Sequence, residues 1–213
     1  APMPAPTDSV NLTNHFLIAM PSLRDATFAH SVVYLCEHGA RGALGLMINK
    51  PSDMDMQGLF QRVDLSLGRP DLTRQPVFHG GPVQTERGFV LHEVMHTEVL
   101  QSTHPASAVV DMEDDPTPYA CTLAIPGGLE MTTSRDVLEA LSQGAGPRRV
   151  LVTLGYAAWE GGQLESELAA NTWLTAPADP DVIFDAPVAE RYDRALGLLG
   201  VHAAMLSRET GHA

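Results

Sequence analysis

Residues 30–51, HSVVYLCEHGARGALGLMINKP, decide how the rest of the chain is read. Val32 to Glu37 is a β-branched and aromatic run, Gly39-Ala40-Arg41-Gly42 is turn chemistry, and Ala43 to Ile48 is a second apolar run. Two such runs around a glycine-bearing turn spell a β-hairpin. Neither run alternates cleanly between apolar and polar residues. That predicts strands covered on both faces, at the middle of the fold.

Outward from the hairpin, 213 residues suit a single domain, read as residues 11–213 behind a frayed tail at 1–10. With 44% hydrophobic and 18% charged residues the chain belongs with globular proteins that bury a real core. Its formal charge of -13 gives a field that repels phosphate. Lys50 is the only lysine, and Arg148-Arg149 is the only adjacent pair among twelve arginines, so no basic patch opposes that field and direct nucleic-acid binding is not expected. Two cysteines make no disulfide framework. The opening APMPAPTDSV lacks the basic and apolar regions of a secretory leader, and no run of about eighteen apolar residues offers a membrane span. A soluble, cytoplasmic protein with reduced thiols is the expectation.

Along the chain, a strand at 16–20 stops at Pro21, and Pro51 closes the hairpin. Ser52 or Asp53 caps a helix at about 54–63, carrying Met56, Leu59, Phe60 and Val63 on one face. Strands follow at 76–79 and 88–92 around Gly80-Gly81-Pro82, and residues 111–118 read as an acidic loop. Strands at 119–125 and 129–132 flank Gly127-Gly128. Thr133 and Asp136 stand at capping-box spacing before a helix at 134–143. A buried strand spans 150–156, and Gly161-Gly162 opens a helix through Leu164 and Leu168. Trp173-Leu174 and 182–184 read as short strands, and Pro187 opens a last helix through Val188, Tyr192, Ala195, Leu196 and Leu199. Strands dominate the first half and mix with helices in the second, which predicts α+β with helices on a largely antiparallel, strongly bent sheet.

Five strings carry possible chemistry. His92-Glu93-Val94-Met95-His96 fits the H-E-x-x-H zinc pattern, which works only on a helix. The upstream Phe89-Val90-Leu91 is β-like, and in a strand two imidazoles four apart sit ~13 Å from each other. Cys36-Glu37-His38 puts a thiol and an imidazole on one strand face, where an imidazolium could activate the thiol as nucleophile or redox sensor; the competing reading is a buried structural cysteine beside a surface histidine. His79-Gly80-Gly81-Pro82 resembles an esterase oxyanion loop, but no G-x-S-x-G elbow supplies a nucleophile, so a tight turn reads better. Gly39, Gly42 and Gly45 match neither a dinucleotide fingerprint nor a phosphate loop. Glu160 and Glu165 flank a helix N-terminus, either as an acid/base pair or as carboxylates complementing the helix dipole.

Taken together, FLIAMPSL at 16–23, SVVYLCEH with GALGLMINKP, PVFHGGPV at 76–83, RGFVLH at 87–92, TTSRDVLEAL and LGYAAWEGGQLESEL with NTWL resemble the AlgH/YqgE family of small bacterial proteins. The resemblance implies a compact single-domain α+β fold with coiled, bifurcated sheets, and a cytosolic protein described without an assigned activity or as a transcriptional regulator. It brings no agreed catalytic residues. The positions that match the family's motifs are Cys36, Glu37, His38, Asn49, Lys50, Pro51, Gly80, Gly81, Pro82, Gly155, Trp159, Gly162, Gln163, Leu164, Glu165 and Leu168.

The functional expectation is a non-enzymatic binding or regulatory module that uses a protein or small-molecule partner, with no cofactor and no metal. The alternatives are a cysteine enzyme or redox sensor built on Cys36 and His38, and a zinc hydrolase built on His92, Glu93 and His96.

Overall fold

The structure is a computed structural model that describes residues 11–94, 122–201 and 206. The expected tail at 1–10, the acidic loop at 111–118, His96 and Cys121 lie outside the described residues.

The hairpin forms as read. β2 (Val32–Gly39) and β3 (Gly42–Met47) pair antiparallel, with Gly39 opposite Gly42 across the Ala40-Arg41 turn. Val32, Val33, Tyr34 and Leu35 are completely buried, because packed side chains cover both faces of β2. β1 (His15–Ala19) lies beside β2, and β10 (Trp173–Pro177) lies beside β1. On the other side β3 meets β9 (Val150–Glu160), followed by β6 (Val83–His92), β8 (Glu130–Thr132) and β7 (Thr122–Ala124). β4 (Pro51–Asp55) and β5 (Pro76–His79) complete a ten-stranded sheet. Among the described residues every pairing is antiparallel except β5 with β9.

The sheet divides at Gly155. The C-terminal half of β9, from Ala157 to Glu160, pairs with β3, whereas its N-terminal half pairs with β6 and β5. Gly155 sits at φ +78°, a region costly for side-chain-bearing residues. Here the Gly80-Gly81 turn crosses so tightly that a Cβ on Gly80 would stand 2.2 Å from the Gly155 carbonyl oxygen. A Cβ on Gly81 would stand 2.1 Å from the Tyr156 carbonyl carbon. These motif glycines are therefore spent on letting two backbones touch.

Among the described residues five helices, α1 (Met56–Arg62), α2 (Arg135–Ser142), α3 (Gln163–Ala169), α4 (Pro180–Phe184) and α5 (Arg191–Gly197), pack on the sheet, giving the expected α+β class. Three apolar clusters result. Phe16, Tyr34, Ile48 and Phe78 pack with Ile183 of α4 and Leu196 of α5. On the opposite face of β1 to β3, Leu17, Val33, Leu35 and Met47 pack with Leu164 of α3 and both tryptophans. Met56 and Phe60 of α1 meet Val137 and Leu141 of α2 over Val77, Val90 and Val152. Burying each Leu, Ile or Phe contributes about 1.5–3 kcal/mol, so these clusters dominate the stability.

Several expected elements differ. Residues 182–184, expected as a strand, are helical in α4: the Asp179 side chain accepts from Asp181 N–H and Pro180 takes the first turn, which overrides the β preference of Val182 and Ile183. Pro51 opens β4 instead of closing the hairpin. α1 begins at Met56, and Asp55 is its cap through Gly58 N–H, so neither Ser52 nor Asp53 fills that role. β6 begins at Val83, earlier than read, because its register breaks between Val83 and Gly88 and leaves Gln84 to Arg87 bulged. Ser134, rather than Thr133, is the N-cap residue of α2. Trp159 and Glu160 lie in β9, and Leu199 is exposed because α5 ends at Gly197 after a separate 3-10 turn at Val188–Glu190.

Candidate functional site: motif residues and surface clefts

Cys36 and His38 do not share a face. The β2–β3 register slips between Leu35 and Glu37, and this bulge reverses the alternation of side chains. Cys36 joins the cluster of Phe16 and Tyr34, and burial pushes its thiol far above the ordinary range. Glu37 turns outward to solvent. His38 pairs across the hairpin with Ala43, on the other face. Its Nδ1 accepts Leu12 N–H at 2.9 Å and its Nε2 lies 2.5 Å from Glu165 Oε1. Those two bonds define the Nε2–H tautomer: the ring accepts from the backbone and donates to the carboxylate. The bond from His38 in turn holds the Glu165 carboxyl below its ordinary value. The expected same-face thiol–imidazole pair is thus corrected by one inserted residue.

The remaining motif residues also bind the fold to itself. Asn49 accepts Val32 N–H through Oδ1 and donates Nδ2–H to the His30 carbonyl. Lys50 Nζ donates to the Ala29 carbonyl at 2.5 Å, and burial holds its ammonium below the ordinary value. Gly80 N–H is taken by the Leu154 carbonyl, so that donor is not available to an oxyanion. Pro82 is exposed beside this turn. Glu167 Oε1 accepts both indole N–H groups, from Trp159 at 3.1 Å and from Trp173 at 2.8 Å. Gln163 joins them, donating to Glu167 Oε2 and accepting Glu160 N–H. Phe28 packs against both rings, Leu164 and Leu168 seat α3 beneath them, and Gly162 caps α3 in the left-handed region. Glu160 ends β9 while Glu165 is held by His38, so these carboxylates do not form a pair.

His92 is the last residue of β6, not part of a helix, and it is fully buried. Its Nδ1 bonds the Glu93 carbonyl at 2.8 Å and its Nε2 meets Thr132 Oγ1 at 2.7 Å, so both ring nitrogens are engaged. Burial lowers its pKa from the ordinary value and favours the neutral ring. Among the described residues, no group of three or more His, Cys, Asp and Glu could hold a metal ion. No helix among the described residues is long and apolar enough to cross a membrane.

Cys36, Asn49, Lys50, Gly81 and Trp159 line none of the principal clefts. One cleft, of about 590 Å³, surrounds Arg149. Its charges are mostly satisfied within the protein: Arg149 binds Glu93, Asp181 and Asp185 and lies over Phe184, while Arg69 binds Asp71 and the carbonyls of Pro147 and Arg148. A second cleft, of about 730 Å³, lies between β4 and α1. There the side chains of Asp53, Gln61, Arg62 and His79 make no hydrogen bond or ion pair with the described residues. The sequence reading gave Asp53 only a capping role and passed over Gln61 and Arg62. The signal for Asp53 was the alternation of PSDMD, whose first, third and fifth residues are exposed.

Residues 16–204 match the family model described as DUF179, AlgH-like. The UPF0301 protein of Acidovorax sp. (strain JS42) is 66% identical over 211 residues, covering 99% of this chain and 100% of that protein. The UPF0301 protein of Paracidovorax citrulli is 65% identical over 213 residues, covering 99% and 100%. Among solved structures, the solution structure of AlgH from Pseudomonas aeruginosa superposes with a TM-score of 0.69 at 42% identity, covering 97% of each chain. A Corynebacterium diphtheriae protein, DIP2367, shares the fold alone, with a TM-score of 0.61 at 20% identity over 86% of this chain. With its buried hairpin, its glycine crossing and its tryptophan clamp in place, the chain belongs to the AlgH-like, UPF0301 family.

Proposed function

We propose that this AlgH-like chain is a non-catalytic binding module of the cytoplasm that acts through a partner protein, and that any effect on transcription is exerted through that partner. One observation carries the reading: among the described residues the motif groups Cys36, His38, His92 and the Gly80 amide are committed to the fold, whereas the cleft beside β4 keeps polar groups of both signs unengaged, with the His79 imidazole there bonded to no nucleophile and to no orienting partner. Catalysis needs a nucleophile or base within reach of a substrate, and binding needs only complementary, accessible groups. The charge of -13 supports a protein partner over DNA, because each phosphate contact would be opposed by the field of the molecule.

Two measurements test this. Photo-crosslinkers placed one at a time on the exposed positions of β4 and α1 in growing cells are expected to give discrete protein adducts. A gel shift at moderate salt is expected to give no sequence-selective complex with duplex DNA. A tight selective DNA complex, or an absence of protein adducts at every position, overturns the reading.

A further inference from the structure

The motif RGFVLH holds a glycine that the fold does not require. Gly88 lies in β6 with ordinary extended backbone, and the left-handed residue of the neighbouring bulge is Gln84, at φ +47°. From Gly88 onward the ladder with β9 is regular, setting Gly88 opposite Leu154 and Val90 opposite Val152. Gly88 therefore shares a face with the buried Val90, yet is itself exposed. Among the described residues a Cβ on Gly88 would meet nothing nearer than the Thr153 carbonyl oxygen, at 4.0 Å. A strand glycine gives up side-chain packing, and one that relieves neither strain nor crowding marks a place where another molecule comes close.

The missing side chain opens a slot of about 240 Å³ between α1 and α2. Val90, Val152 and Leu154 form its floor, with Leu59 and Val63 on the α1 side and Leu138 on the α2 side. This is smaller than the roughly 300–1,000 Å³ of drug-sized ligand sites, which limits the occupant to about a single ring or a short branched chain. Two charged residues border the slot, Arg135 and Glu86, and they differ. Arg135 ties the helices together, its Nη2 donating to the Val63 carbonyl at 2.6 Å, and its Nε meets Glu139 Oε1 at 3.3 Å, so its charge is balanced within the protein. Glu86 is exposed and makes no hydrogen bond or ion pair with the described residues. The adjacent Arg87 does not offset it, because that guanidinium lies over the Phe89 ring on the opposite face of β6. The unbalanced charge at the slot is negative, and the overall charge of -13 reinforces it.

We infer that the slot over Gly88 binds a small amine with an apolar body. The body lies against Val90, Val152 and Leu138, in the space that a side chain at position 88 would fill, and the ammonium sits at Glu86. This goes beyond the partner-protein reading. α1 borders the slot with Leu59 and Val63 and the cleft beside β4 with Gly58, Gln61 and Arg62, so the two sites are separately testable.

The test uses the isotope-labelled full chain with phenethylamine as the probe and phenylpropionate, of similar shape and opposite charge, as the control. The expected result is saturable amide shifts centred on residues 59, 88, 90 and 138 with the amine, and weaker binding of the acid. Glu86→Gln alters an exposed carboxylate without an internal partner, so it is expected to leave the melting temperature unchanged and to weaken the amine about three- to fivefold, the worth of one exposed charge pair. Gly88→Ile fills the slot with a side chain suited to a strand, and is expected to keep or raise the melting temperature while weakening the amine at least about tenfold. If Gly88→Ile does not fold, Glu86→Gln still decides. An absence of saturable shifts, shifts centred elsewhere such as the cleft beside β4, an acid that binds as tightly as the amine, or an amine indifferent to Glu86→Gln overturns the inference. Loss of every photo-crosslinked adduct in cells would overturn the partner-protein reading and leave the amine site standing.

Discussion

Cys36 and His38, separated by one residue, lie on opposite faces of β2, the thiol in one apolar cluster and the imidazole bonded to Leu12 and Glu165 in another. A one-residue bulge is enough to do this, because side chains alternate with a period of two. The pair that looks most reactive in the sequence is therefore divided between two sites with separate structural duties.

The glycine crossing predicts a sharp difference between two Gly→Ala changes. At Gly81 the added carbon would meet backbone atoms of Tyr156 and Ala157 within 2.3 Å, and backbone cannot swing aside as a side chain can. Gly81→Ala is expected to cost about 4 kcal/mol or more, or to abolish folding. At Gly162 nothing lies within 4 Å of the added carbon, and only its φ of +84° is unfavourable, so Gly162→Ala should cost about 1–2 kcal/mol. Urea unfolding of both variants checks the ranking.

The indole clamp predicts a graded series at Glu167. Glu167→Leu strands the N–H groups of Trp159 and Trp173, both nearly buried, and should cost about 2–4 kcal/mol. Glu167→Gln keeps one carbonyl oxygen in place and should cost less than half as much. Near-ultraviolet circular dichroism reports the tryptophan environment alongside unfolding; equal losses in the two variants would show that the shared acceptor does not matter.

Ser31 gives a prediction of the opposite sign. Its hydroxyl is completely buried with no hydrogen-bond partner among the described residues, while its backbone N–H is satisfied by Phe28 and its carbonyl by Ala19. Ser31→Ala removes an unpaired polar group and keeps both backbone bonds, so it should stabilise the chain by about 1 kcal/mol. Calorimetry should find a raised melting temperature.

His92 predicts the acid limb of stability. Burial lowers its folded value, so below the unfolded value of about 6.5 the unfolded chain takes up a proton that the folded chain refuses. Stability from this group is full above that pH and is lost as pH falls toward the depressed folded value, at up to about 1.4 kcal/mol per pH unit. In His92→Gln the slope between about pH 6.5 and 5 should flatten, as read by urea midpoints across that range.

The hairpin was legible in the sequence because a continuous apolar run, a glycine turn and a second run admit few other structures. The class followed from the order of the elements. The bulge at Cys36 was not legible, since it carries no glycine and shows only in the pairing of Glu37 with Leu44. α4 was missed because Val182 and Ile183 favour strands, while Asp179 and Pro180 fix a helix start that overrides them. The role of Glu165 was out of reach because its partner His38 lies 127 positions away, joined only once α3 docks on the hairpin. The β4 cleft was missed for the same reason: Asp53, Arg62, His79 and Leu154 come from four separate elements.

That the motif residues build the scaffold before they do any chemistry is tested most directly by iodoacetamide labelling of Cys36 in the native chain at neutral pH, followed by mass spectrometry of its peptide. With the thiol in a closed core and its ionisation opposed by burial, labelling should proceed only through opening of the fold, orders of magnitude slower than in urea, and should slow further in the stabilised Ser31→Ala variant. Native labelling as fast as in urea, and indifferent to Ser31→Ala, would contradict the account.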